Sequence, residues 1–213
     1  MKKSAAQLAG VTSEEVLPRD WSCVSARATA VRVPCRLQES VTCGLVSLMM
    51  AADALLPGHG KSCAGLLALA VARGFSKSGE MFSCAHLAHL AREYWDGAMR
   101  AEVASDWGAE DVHGAARRGH LLLVPYDCSP NFSPGLFGGE RAHWCVVAGA
   151  EDEQTAVCVQ PKSKRVGLWS IADLIASNRG LAACRVRQEQ GLAVPDDLEP
   201  LRGRMVLLMQ LNT

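Results

Sequence analysis

Apolar and polar positions alternate differently in the two halves of this chain. The run Leu45-Val46-Ser47-Leu48-Met49-Met50-Ala51-Ala52 contains no Pro and predicts a buried helix that opens at Cys43 and reaches about Leu55. Leu56-Pro57-Gly58-His59-Gly60 then stops it. Residues 63–72 predict a second apolar helix closed by Gly74. Residues 82–95 predict a third, whose apolar positions (among them Phe82, Leu87, Leu90 and Tyr94) form a wide stripe at mixed three- and four-residue spacing. Beyond residue 98 the runs shorten. Strands are expected over residues 28–33, 99–103, 120–126, 143–149, 155–159, 165–169 and 205–211, with helices over 109–118 and 171–177. Residues 127–142 hold three Gly and two Pro, a loop longer than compact connections usually need and of the kind that often carries function.

Helices first and mostly antiparallel strands afterwards indicate an α+β fold with a cleft between its two parts. Residues 1–27 are polar and read as a loosely ordered arm, and residues 28–213 as one domain. The full chain has 213 residues, 49% hydrophobic and 21% charged, with a formal net charge of zero, which gives no reason to expect nucleic acid or a membrane surface as partner. Nine cysteines is a high and odd number, better suited to reduced thiols in a cytoplasmic setting than to a secreted disulfide framework. The stretch after Met1-Lys2-Lys3 is too short and polar for a signal peptide. No run approaches the roughly 18 residues of a transmembrane helix.

The chemistry concentrates on Cys43. At a helix N-terminus the dipole and the free N–H groups favour a thiolate. Gln38, five residues upstream, can aim its side-chain amide at the same point as an oxyanion donor. The segment Ala142-His143-Trp144 opens a strand on His143, a base for that nucleophile. The next strand ends at Gln160-Pro161, and Gln160 is a candidate for orienting the imidazole, with Asp127 and Asp152 as competitors. Cys before His, each at the start of its element, is the order of papain-like cysteine peptidases. For the other eight cysteines inert packing is the default, with Cys145 and Cys158 the ones expected to line the site. Cys84, His86 and His89 lack the second ligand pair that a metal site needs, and neither metal nor cofactor is required by the chemistry.

Four segments carry a family resemblance: Gln38 to Leu45 (QESVTCGL), Gly74 to Phe82 with its Gly79-Glu80-Met81-Phe82, Leu122 to Asp127 with Ala142-His143-Trp144 downstream, and Gln160 to Leu168 followed by Trp169. In these the chain resembles the actin maturation protease family of papain-like cysteine peptidases, over about residues 30–180. The resemblance implies a cytoplasmic aminopeptidase that removes the N-acetylated first residue, Met or Cys, of newly made actin. It also implies Cys43 as nucleophile, His143 as base and Gln38 as oxyanion donor. The Gly79-Glu80-Met81-Phe82 motif itself reads either as a helix entry only or as placing Met81 and Phe82 on the pocket for the first side chain. Arg141, Lys162, Lys164 and Arg165, beside His143 and Gln160 in sequence, are candidates for a positive rim facing an acidic substrate, the alternative being ordinary solvated strand-end charges.

Animal members carry a longer proline-rich N-terminus that resembles a profilin-binding tract. Here 37 residues precede Gln38 and only Pro18 and Pro34 lie among them, so profilin stays open as a partner but in doubt for want of such a tract. Gln160 stands where related peptidases carry Asp or Asn. Two other readings stay open: a peptidase or amidase on this fold with another substrate, and a binding module that has lost activity.

Overall fold

A computed structural model describes residues 14–211. Its centre is a single antiparallel sheet. The strands are β1 (Thr29–Ala30), β2 (Met99–Ser105), β3 (Leu121–Cys128), β4 (Pro134–Gly135), β5 (Ala142–Ala150), β6 (Thr155–Val159), β7 (Gly167–Ser170) and β8 (Arg204–Gln210). They run in the order β2-β8-β3-β5-β6-β7, with β1 on β5 and β4 on β3 outside that path. The helices are α1 (Cys43–Leu55), α2 (Cys63–Ala72), α3 (Cys84–Tyr94), α4 (Ala109–Arg117), α5 (Ile171–Arg179) and α6 (Arg185–Glu189). The expected α+β class is the observed one.

Both faces of the sheet are covered, which explains why β3 and β5 are buried along their whole length. Alternation along β5 sends Trp144, Val146 and Ala148 into a core shared with α1, α2 and α3. Cys145 and Val147 point the other way, into a second core with Val112 and Ala115 of α4 and Leu174 of α5. Helix α1 is enclosed almost all round, every residue from Cys43 to Ala52 being buried. That matches its lack of a polar stripe.

Several boundaries differ from expectation. The strand expected over residues 28–33 is only Thr29–Ala30, paired with Ala150 and Gly149. Helix α3 starts at Cys84 because Ser83 caps it, its side chain accepting from the His86 N–H. The loop expected over 127–142 is shorter and better organised. Strand β3 continues to Cys128, and the Asp127 carboxylate accepts the N–H groups of Phe137, Gly139 and Arg141 at 2.8, 2.8 and 3.2 Å. Helix α6 had no counterpart in the sequence reading.

The arm expected over residues 1–27 lies partly outside the described residues. Within them, Glu14 accepts the Cys63 and Ala64 N–H groups at the start of α2, and the Arg19 guanidinium donates to the Ser163 carbonyl at 2.8 Å. No helix among the described residues is long and apolar enough to cross a membrane.

Candidate active site

Cys43 is the first residue of α1, and no side chain caps that terminus. Thr42 is buried there, but its hydroxyl donates to the Glu39 carbonyl at 2.7 Å. The first N–H groups of α1 therefore keep their donor capacity. The approach is a tight turn in which Ser40 adopts a left-handed backbone (φ 57°) and its carbonyl accepts from the Gln38 side-chain amide at 2.8 Å. The Gln38 backbone N–H donates to the Pro161 carbonyl at 2.7 Å, so the turn before Cys43 is fastened to the segment that follows Gln160.

Three of the sequence motifs meet at one packing contact. Gly44 sits so close to β5 that a Cβ there would lie 2.7 Å from Cβ of Met81 and 3.1 Å from the Trp144 indole. Trp144 donates its indole N–H to the Met81 carbonyl at 2.8 Å. Gly79, at φ +112°, leaves no room for a Cβ against Thr42. The Cys-Gly, Gly-Glu-Met-Phe and His-Trp segments are thus mutually required by packing.

Cys43 and His143 line the same narrow cavity, together with Met81, Phe82, Trp144 and Arg187. Its free volume is about 10 Å³, room for a single water. His143 is 1% exposed and Cys43 7%. The Trp144 and Gly44 backbone N–H groups both act on the Cys43 thiol in the direction of the thiolate.

The ring orientation follows from hydrogen bonding. Oε1 of Gln160 accepts the Lys162 backbone N–H at 2.6 Å and lies 3.3 Å from Nε2 of His143. A backbone N–H can only donate, so the Gln160 atom between them is the carbonyl oxygen, and Nε2 must carry the hydrogen. Nδ1, which has no hydrogen-bond partner among the described residues, then keeps the lone pair in the neutral ring.

Burial sets the protonation states. It pushes the His143 imidazole down to about 3; Lys162 and Arg187 add to this, and the Gln160 contact opposes it. Burial likewise raises the Cys43 thiol, against the opposing pull of Arg187, Lys162 and the Trp144 N–H. Both shifts favour the neutral thiol and the neutral imidazole over the charged pair. The helix N-terminus, expected to favour a thiolate, is outweighed by desolvation.

The other expected residues fall as follows. Met81 and Phe82 line the cavity beside Cys43. Gln38 is outside it, its amide turned to Ser40 and its Oε1 buried without a partner among the described residues. Arg141 and Lys162 border a separate cavity of about 290 Å³ next door, and Arg165 borders a third, of about 420 Å³, with Gln160 and Trp169.

Asp127 is consumed by the backbone N–H groups named above, and Asp152 holds the Gln154 and Thr155 N–H groups in the β5–β6 turn. Cys145 and Cys158 do not line the cavity. They pack against each other in the second core, under α4 and α5. Cys84 is buried in the first core, His86 stacks on Phe75 at 4.0 Å, and His89 lies 3.0 Å from Glu93.

Arg187 was missed in the sequence. It lies on the five-residue helix α6, whose segment Arg185-Val186-Arg187-Gln188-Glu189 shows no apolar period. Only the folded chain brings it to Cys43.

Residues 33–151 match the family described as actin maturation protease-like, C-terminal domain. The chain belongs to that family. An actin maturation protease of Drosophila melanogaster is 30% identical over 150 residues, covering 68% of this chain and 54% of that protein. Those of Bos taurus and Homo sapiens are each 37% identical over 120 residues, covering 55% of this chain and 34% of theirs. The chain therefore spans about half of the fly protein and about a third of the mammalian ones. Among solved structures, a C39-like peptidase from Bacillus anthracis aligns with 94% of this chain at a TM-score of 0.47 and 12% identity.

Proposed function

We propose that this chain is a papain-like cysteine aminopeptidase of the cytoplasm that removes the N-acetylated first residue, Met or Cys, of newly made actin. The observation that carries this reading is the shared cavity of Cys43 and His143, with Gln160 holding Nε2 and leaving Nδ1 as the base. Membership of the actin maturation protease-like family supports the choice of substrate.

In this mechanism Nδ1 of His143 takes the Cys43 proton as the sulfur attacks the carbonyl of the acetylated first residue. Because the resting pair is neutral, proton transfer accompanies attack rather than preceding it. The oxyanion is held by the Cys43 backbone N–H, and the Gln38 amide, which lies outside the cavity and is turned to Ser40, joins it only once its second N–H swings inward. The imidazolium then protonates the leaving amine, which becomes the new N-terminus of the substrate. Water, deprotonated by the regenerated neutral His143, hydrolyses the thioester and releases the acetylated amino acid. Gln160 fixes the tautomer but, being neutral, stabilises the imidazolium less than a carboxylate would.

Met81 and Phe82 form the wall against which the first side chain packs. Actin is the partner in this reading. The test is intact-mass analysis of N-acetylated actin incubated with the purified chain. Loss of one acetylated Met or Cys is expected, and actin of unchanged mass would exclude this substrate.

A further inference from the structure

We propose that Arg141, Lys162 and Arg187 form an anion-accepting subsite that binds carboxylate side chains of the substrate just beyond the scissile bond, with Arg187 its specificity-determining residue. This rests on the peptidase reading of the Cys43 pocket and extends it to the part of the peptide that leaves.

The three cations border the cavity of about 290 Å³, and Arg187 also borders the narrow cavity of Cys43 and His143. The narrow cavity must widen to admit a first residue; a peptide held at Cys43 then passes Arg187 as it continues into the wider cavity. Among the described residues, none of the three side chains is within ion-pair distance of a carboxylate. Arg141 instead lies over the Phe137 ring, 4.4 Å from its centroid.

Glu140 is the one acidic residue bordering this cavity. Its carboxylate is turned to the start of α6, accepting the Arg185 and Val186 N–H groups at 3.3 Å each. Its charge is therefore partly satisfied before any ligand arrives.

The position of Arg187 is fixed from both sides. Glu140 holds the front of α6. Behind it, the buried Glu80 carboxylate accepts the Ala193 N–H at 2.8 Å, and the Lys77 ammonium donates to the Gly191 carbonyl at 3.0 Å. Glu80 also gathers the Lys77 and Ser78 N–H groups at 2.9 and 2.8 Å. The Gly-Glu-Met-Phe segment thereby ties the α6 connection to the wall of the catalytic pocket. Backbone held in this way keeps the root of Arg187 beside both cavities, so less chain has to be ordered when its guanidinium meets a carboxylate.

The test compares two acetylated peptides, one with Asp at the second to fourth positions and one with Asn there. Binding is measured to full-length Cys43→Ala chain, which does not turn them over. The acidic peptide is expected to bind about tenfold tighter or more, since charge-assisted hydrogen bonds contribute on that scale. The margin should shrink as salt is raised. In Cys43→Ala chain also carrying Arg187→Gln and Arg141→Gln, the ratio of the two affinities is expected to fall towards one.

Equal affinities in the parent chain, or a ratio unmoved by the two Arg substitutions, would overturn the subsite. The first comparison needs no further protein variant, so poor folding of the Arg variants leaves it decisive. Preferential binding without any hydrolysis by wild-type chain would leave the subsite standing and remove the peptidase reading. Hydrolysis of both peptides with equal affinity would do the reverse.

Discussion

Trp144 donates its indole N–H to the Met81 carbonyl at 2.8 Å, directly above Gly44. This contact joins the nucleophile helix, the segment before α3 and the strand that carries His143. Gly44 has no positive φ, so its requirement is space alone. Gly44→Ala is expected to force Met81 and Trp144 apart and to destabilise the chain by about 1–3 kcal/mol, the usual cost of overpacking. Activity should fall further than that loss explains, because His143 adjoins Trp144. Thermal melts and peptide turnover on the same preparation check this. Turnover that stays at the wild-type level would show that the contact does not set the site.

In the proposed mechanism Gln160 acts on the substrate only through His143, as a positioning residue. Gln160→Ala should reduce kcat by about tenfold or more as the imidazole loses its fixed tautomer. Gln160→Glu places a carboxylate 3.3 Å from Nε2 in the same frame and should raise the pKa of His143 from about 3, because a nearby negative charge favours imidazolium. The imidazole resonances followed by NMR against pH would show the shift. An unchanged midpoint in Gln160→Glu would mean that the contact is not made in solution.

The resting protonation states give a pH signature. His143 stays neutral from pH 5 to 8 because its folded value lies near 3, and the Cys43 thiol is raised. Alkylation of Cys43 by iodoacetamide should therefore climb with pH across this range, approaching about tenfold per unit, as expected when thiolate is a small and growing fraction. A plateau between pH 5 and 8 would instead indicate a preformed thiolate–imidazolium pair. Stability follows the same sign. An unfolded His near 6.5 binds protons that the folded one refuses, so His143 lowers stability progressively as pH falls from about 6.5 towards 3. His143→Gln should weaken that acid dependence in thermal melts.

Much of the fold could be read in advance because its signals are local. The apolar run after Cys43 has no other outlet than a buried helix, and α1 follows it from Cys43 to Leu55. The alternation around His143 is continuous because β5 is covered on both faces. Arg187 was illegible for the opposite reason. Its place depends on bonds from Glu140 and Glu80, and Ala193 is 113 residues from Glu80 in sequence.

Cys145 shows a third case. Alternation puts it on the same face of β5 as His143, but two residues further in, where α4 and α5 cover the sheet. The balance between helix terminus and burial at Cys43 is not legible in sequence, because helix position is visible there and depth of burial is not. At 7% exposure, desolvation outweighs the helix terminus.

The most direct measurement is acid-quenched mass spectrometry of the full chain mixed with an N-acetylmethionyl peptide. A thioester adduct on Cys43 is expected, equal in mass to the acetylated first residue, together with release of the shortened peptide and loss of both in Cys43→Ala. Release of the shortened peptide at the wild-type rate by Cys43→Ala, or no adduct and no release by the wild-type chain, would contradict a reaction between Cys43 and the substrate carbonyl.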